Sequence, residues 1–187
     1  MASSSSSSLL FLLLLPLVAA QTYHWGSCPT PMLQPNFTLQ QYMGHWYEIE
    51  KLPASFEKGK CIEADYAVRP DGTIQVLNKL LYKGKVTTAE GTAVVIDPRE
   101  PARLGVSFSH FSPYVPYLVL STDYSGLSAV YSCTNVLNIF YIDYAWILSR
   151  SRFPPPESVA SAKQLLSGEG VEVCGMKPTD QMGCPDV

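Results

Sequence analysis

Five cysteines (Cys28, Cys61, Cys133, Cys174, Cys184) and three histidines (His24, His45, His110) are the side chains here best suited to chemistry. They could ligate a metal, form a nucleophile–base pair, or, for the cysteines, oxidise to disulfides. Structural zinc sites draw on closely spaced ligand pairs, but this chain has no CxxC and its histidines lie far apart in sequence. No metal is expected. Neither a GxSxG elbow nor an HExxH helix occurs, so the common hydrolase and metalloprotease arrangements are not expected either. Disulfides remain as the default chemistry, provided that the compartment is oxidising. Five is an odd number, so at least one thiol stays free or bonds to another chain.

The first twenty residues, "MASSSSSSLLFLLLLPLVAA", point to such a compartment. Leu9 to Val18 is an apolar run too short to span a bilayer, and it ends in the small pair Ala19-Ala20. Residues 1–20 are read as a cleaved secretory signal and 21–187 as one extracellular domain, with a secreted location. Asn36-Phe37-Thr38 is a glycosylation sequon in that domain. The formal net charge is −3, with Lys and Arg scattered. No basic patch stands out, so nucleic acid is not an expected partner.

The elements that must position these residues read as strands. "CIEADYAVR" sets Ile62, Ala64, Tyr66 and Val68 on one face, against Glu63, Asp65 and Arg69 on the other. Pro70-Asp71-Gly72 then makes a tight turn. "TIQVLNKLLY" alternates Ile74, Val76, Asn78 and Leu80, and Lys83-Gly84-Lys85 turns it into a fourth strand ending near Asp97-Pro98. In "ARLGVSFS", Leu104, Val106 and Phe108 share a face, and "PYLVLSTDY" and "LSAVYSC" follow. In "FYIDYAWILSR", Ile142, Tyr144, Trp146 and Leu148 share a face. With the strand that opens at Gly44, these make eight. The apolar faces carry polar or hydroxyl-bearing groups such as Asn78, Tyr66 and Tyr144. A dry sandwich core would leave them unpaired at about 1–3 kcal/mol each, whereas a barrel with a cavity can satisfy them. After Pro154-Pro155-Pro156, the stripe Val159, Ala162, Leu165 and Leu166 predicts one helix that ends at Gly168 or Gly170. "VEVCGM" reads as a short extra strand. The fold class is therefore all-β: an eight-stranded up-and-down antiparallel barrel with one C-terminal α-helix packed outside.

Gly44-x-Trp46 at the first strand, Thr122-Asp123-Tyr124 after the sixth and Arg150 at the end of the last resemble the three signature regions of the lipocalin family. Together with the signal, the strand count and the late helix, the resemblance covers residues 21–187. The stretches "YEIEKLPASFEKGKCIEADY", "LSTDYSGLSAVYSCT", "DYAWILSR" and "TDQMGCP" extend it to one branch of that family. The resemblance implies that Trp46 plugs the closed end of the barrel, with Arg150 lying across its ring and bonding loop carbonyls. It implies bridges Cys28–Cys133 and Cys61–Cys184, with Cys174 left over. It also implies a pocket lined by Tyr66, Val68, Asn78, Phe108, Tyr117 and Trp146; alternation independently turns all but Tyr117 inward, and adds Tyr144.

The function expected on that resemblance is a secreted carrier holding a fatty acid or steroid-like lipid inside the barrel, without a cofactor. The alternative is a protein-interaction or lipoprotein-associated scaffold. An isomerase reading would need an inward strand cysteine, and Cys61 falls on outward parity. Trp146 is expected to give flat contact, with Asn78 and the Tyr66 hydroxyl orienting a carbonyl or carboxylate. Alternation turns no Lys or Arg confidently inward, so a neutral or weakly polar ligand is expected. Glu48 and Glu50, however, share the parity of Trp46, and alternation gives no account of them. Apolar residues in the loops His110–Pro116 (Phe111, Tyr114, Val115) and Asn135–Phe140 (Val136, Leu137, Ile139) imply either a contact surface for a lipoprotein particle or membrane, or a cap over the mouth.

Overall fold

The computed structural model describes residues 22–109 and 111–185. The segment read as a signal, and His110, lie outside the described residues. The elements in chain order are β1 (Thr22–Trp25), α1 (Leu39–Tyr42), β2 (Gly44–Lys51), β3 (Lys60–Val68), β4 (Ile74–Tyr82), β5 (Lys85–Val95), β6 (Arg103–Ser107), β7 (Val115–Thr122), β8 (Leu127–Val136), β9 (Phe140–Ser149), α2 (Pro156–Gly168) and β10 (Lys177–Pro178). Strands β2 to β9 pair antiparallel in sequence order, and β9 pairs back onto β2, which closes the barrel. The eight-stranded barrel with one late helix is the expected architecture.

Local chemistry sets the turns. Asp71 Oδ1 accepts from the Thr73 backbone N–H at 2.9 Å, and Gly72 takes φ +84° between β3 and β4. Lys83 and Gly84 are both left-handed, at φ 50° and 76°, which is the mirror-image turn that matches strand twist in a two-residue hairpin.

Two apolar cores follow from strand alternation. The inner one fills the barrel's closed half, with Tyr42, Trp46, Ile74, Leu104, Val119 and Val130 at its centre. The outer one lies between the β7–β8–β9 wall and α2, around Leu118, Tyr131, Ile147, Leu166 and Met176. The helical stripe Val159, Ala162 and Leu165 packs there, with Leu166 wholly buried.

Three features depart from the sequence reading. Two edge strands are too short to show alternation: the four-residue β1 pairs with β9, and the two-residue β10 pairs with β2. Val171–Met176 is not a strand. Its apolar residues pack into the outer core while its backbone bonds locally, Val171 N–H to Leu166 and Met176 N–H to Val173. In β2 the register against β9 shifts between Glu48 and Glu50, a β-bulge that reverses the parity of everything after it.

The bridges are Cys28–Cys133 and Cys61–Cys184, closing separations of 105 and 123 residues. A chain-entropy account assigns loops of this length roughly 4–5 kcal/mol each. They fasten the N-terminal arm to β8 and the C-terminal segment to β3. Cys174 is free and exposed. Glu172 beside it, by hydrogen bond and by charge, pushes its thiol pKa up, so the thiolate is disfavoured.

Candidate ligand-binding site

The closed end is built first. Trp46 has no exposed surface, and its Nε1–H donates to the Tyr42 carbonyl at 2.8 Å. The Arg150 guanidinium lies 3.8 Å from the Trp46 ring centroid. Its N–H groups donate to the carbonyls of Tyr124, His45, Gln41, Tyr42 and Met43 at 2.6–3.2 Å. One cation thus satisfies the C-terminal carbonyls of α1 and adds roughly 0.5–2 kcal/mol of cation–π attraction. Gly44, at φ +93°, leads the chain beneath that guanidinium; a Cβ there would sit 3.4 Å from Nη1. Asp123 accepts from the backbone N–H groups of Ser125, Gly126 and Leu127, while Thr122 accepts from the Tyr124 N–H. All six residues of the signature regions belong to this floor.

Above the floor stands a chain of hydroxyls. Tyr66 and Tyr117 meet at 3.0 Å, Tyr117 and Tyr42 at 2.9 Å, and Tyr42 and Ser128 at 3.2 Å. Ser128 in turn donates to the Ser121 carbonyl at 3.3 Å. Burial pushes the Tyr42 pKa up to about 12, and those of Tyr66 and Tyr117 well above the usual phenol range, so all three stay protonated.

The next layer results from the bulge. Glu48 pairs with inward Leu148, Glu50 with outward Ile147, and Lys51 with inward Trp146. Glu50 therefore points out to Lys163 of α2, at 2.8 Å, while Lys51 points into the barrel. This corrects the expectation that no cation faces inward. Lys51 Nζ lies 3.0 Å from Glu48 Oε1 and 3.2 Å from Glu57 Oε2. Glu57 reaches in from the loop 52–59 and also accepts the Trp146 Nε1–H at 3.1 Å. Thr179, which follows β10, donates its hydroxyl to Glu48. Burial first, and the neighbouring Glu57 charge second, push the Glu48 pKa up to about 8 against the pull of Lys51.

The residues proposed from the sequence fall into groups. Tyr144 and Trp146 stack with centroids 5.9 Å apart, and Phe56 of the loop 52–59 meets Tyr144 edge-on at 5.2 Å. Tyr66 and Tyr117 form the hydroxyl chain. Asn78 shares the inner face with Ala64 and is half-buried. Phe108 follows β6 at the open rim, 48% exposed, and lies over Gly91, where any Cβ would come within 2.8 Å of its ring. Val68 stands apart. It ends β3 two residues beyond the Gly44–Tyr66 pair, at the closed end, and is 46% exposed. Tyr42, Glu48, Lys51 and Glu57 were not identified from the sequence as site residues; the unexplained parity of Glu48 and Glu50 was the available signal.

A family model described as a lipocalin-like domain matches residues 37–181. The chain belongs to the lipocalin family. It is 46% identical over 174 residues to apolipoprotein D of Oryctolagus cuniculus, covering 92% of each chain. It is 31% identical over 163 residues to the bilin-binding protein of Pieris brassicae, covering 84% of this chain and 85% of that one. Among solved structures, insecticyanin from the tobacco hornworm Manduca sexta superposes with a TM-score of 0.74 at 24% identity, covering 86% and 89%. Apocrustacyanin C1 gives 0.75 at 21% identity, covering 87% and 93%. At those identities the likeness is one of fold.

The open end of this lipocalin carries an apolar rim. Trp25 is 86% exposed, Phe111 99% and Leu137 82%, with Phe56, Tyr114, Val115 and Ile139 about half exposed. Val136 is half-buried. The exposure of these side chains does not fit a cap folded down over the mouth.

Proposed function

We propose that the protein is a secreted carrier holding one small, mostly apolar molecule, the size of a fatty acid or steroid, in the open half of the barrel. The observation that carries this reading is the gradient along the barrel axis. The floor at Trp46 is fully buried, whereas the inward side chains nearer the mouth (Asn78, Leu80, Tyr117, Tyr144, Trp146) are only half-buried. Apolar surface left half-covered on a concave face is what a hydrophobic ligand covers. Covering about 400 Å² of it yields roughly 10 kcal/mol gross. The cost of association leaves roughly micromolar affinity, suited to a cargo that must be released. The 46% identity to apolipoprotein D supports a transport role. No catalytic step is proposed, because Cys61 and Cys133 are both held in bridges and the one free thiol is disfavoured as a nucleophile. Residues 1–20 are proposed as the signal. Asn36, exposed in a left-handed turn position, is the proposed glycosylation site. The test is titration of the mature chain with a panel of lipids, read by tryptophan fluorescence: a carrier shows saturable one-site quenching.

A second reading, contact with a lipoprotein particle or membrane, draws on the exposed rim of Trp25, Phe111 and Leu137. Flotation with zwitterionic vesicles tests it, and replacing those three residues with serine should abolish co-flotation.

A further inference from the structure

The charges of this chain are not spread evenly between its two ends. Lys58, Lys83, Lys85 and Lys177 are exposed and have no carboxylate partner among the described residues. Every other Lys and Arg is ion-paired with a carboxylate, except Arg150, which is spent on carbonyls at the floor. All four unpaired lysines lie in the open half. Lys83 and Lys85 stand at the tip of the β4–β5 hairpin. Lys58 comes beside that tip, because Gly59 packs against β4 so closely that a Cβ would sit 2.6 Å from the Leu81 carbonyl oxygen. Lys177 pairs across from Lys51, where β2 meets the loop 52–59.

The carboxylates of this half are engaged elsewhere. Glu48 and Glu57 turn in to Lys51, and Asp180 stands 3.6 Å from Lys60. Glu169 and Glu172, beyond α2 on the outer wall, accept the backbone N–H groups of Met32 and Cys174. At the closed end the balance reverses, since Asp71, Asp123 and Glu157 are exposed and form no ion pair among the described residues. The apolar groups follow the lysines. Each of the four connections around the mouth presents an exposed apolar side chain: Phe56, Tyr82, Phe111 and Leu137 in chain order.

We propose that the mouth docks on an anionic phospholipid bilayer, with these apolar tips in the headgroup layer and Lys58, Lys83 and Lys85 against the lipid anions. Tips distributed around a closed ring of strands would require a matching ring of pockets on a protein partner. A bilayer interface accepts them at any position, and its binding sums apolar burial with attraction to anionic lipid. Each lysine held close to an anionic leaflet is worth about a fivefold factor in affinity. The acidic closed end is repelled by the same surface, so the field turns the mouth toward it. This inference rests on the exposed-rim reading above and adds to it the headgroup charge and the orientation.

The test is co-flotation of the mature chain with vesicles of phosphatidylcholine alone, and with vesicles in which phosphatidylserine replaces part of it. The parent should bind the phosphatidylserine vesicles tighter by about tenfold or more at low salt, and lose that preference at high salt. Combining Lys58→Gln, Lys83→Gln and Lys85→Gln should remove the preference and leave binding to phosphatidylcholine unchanged. Combining Arg69→Gln, Arg99→Gln and Arg103→Gln changes the net charge equally at the closed end, and should keep the preference. A melt of each variant establishes that it is folded. Equal binding of the parent to both vesicle types, or equal loss of preference in both triple variants, overturns the inference and leaves the exposed-rim reading intact. Binding to neither vesicle overturns both.

Discussion

The two ends of the barrel use similar residues to opposite effect. At the closed end an indole, Trp46, has its N–H on a backbone carbonyl, its ring under an arginine and no surface exposed. At the open end an indole, Trp146, has its N–H on the carboxylate of a loop residue, its ring beside Tyr144, and remains partly uncovered. Arg150 at the floor is ringed by carbonyls that cannot leave, whereas Lys51 at the mouth is held by Glu57, whose loop borders the opening. The floor is closed and fully packed, and the mouth is left half-covered.

The contrast can be broken from either side. The largest effect should come at the floor. Trp46→Ala removes a wholly buried aromatic and the surface on which Arg150 rests, and should cost about 3–5 kcal/mol in denaturant unfolding. A variant as stable as the parent would place Trp46 outside the core. Next is the buried carboxyl of the mouth. The Glu48 pKa is raised from 4.5 to about 8 in the folded chain, so the folded state holds the proton more tightly than the unfolded one between those values. Folding stability contributed by this group is therefore present below about pH 4.5 and lost as pH rises through about 8. Glu48→Gln should overtake the parent in stability as pH increases across that window, by a few kcal/mol at its top, since each tenfold difference in proton affinity is worth about 1.4 kcal/mol. A stability difference that does not change with pH would mean that Glu48 ionises normally. Trp146→Ala should weaken lipid binding by about 1–3 kcal/mol in titration, as expected for a central aromatic anchor. Smallest is Cys174→Ser, which should leave the melting transition within about 0.5 kcal/mol because the residue is exposed and outside both bridges. Peptide mapping without reductant should return Cys174 as the one alkylatable thiol.

Much of the floor could be read from the chain, because its determinants are local and periodic. Gly44-x-Trp46 opens a strand, Asp123 caps a turn of its own backbone, and the alternation of β3, β4 and β9 turns Tyr66, Asn78 and Trp146 inward. The mouth was largely hidden. A bulge is one inserted residue, Ile49, and nothing in the apolar pattern marks it, yet it decides that Glu50 faces α2 and Lys51 faces the barrel interior. Glu57 sits in a loop with no periodicity, and its partner Trp146 is distant in sequence. Val68 was misplaced for a related reason: alternation gives the face a residue occupies but not its height along the barrel. The apolar residues of Val171–Met176 imitate a strand because packing against the outer core needs the same spacing.

The most direct test of a packed floor beneath a half-covered mouth is a paired measurement on Trp46→Ala and Trp146→Ala, each melted and each titrated with the lipid panel. Trp46→Ala should lose stability and, at a temperature where it is folded, keep its affinity. Trp146→Ala should lose affinity by about tenfold, equivalent to roughly 1.4 kcal/mol, with the smaller loss of stability. If Trp146→Ala binds as tightly as the parent, or if the two variants lose stability and affinity in equal measure, the division between the two ends is wrong.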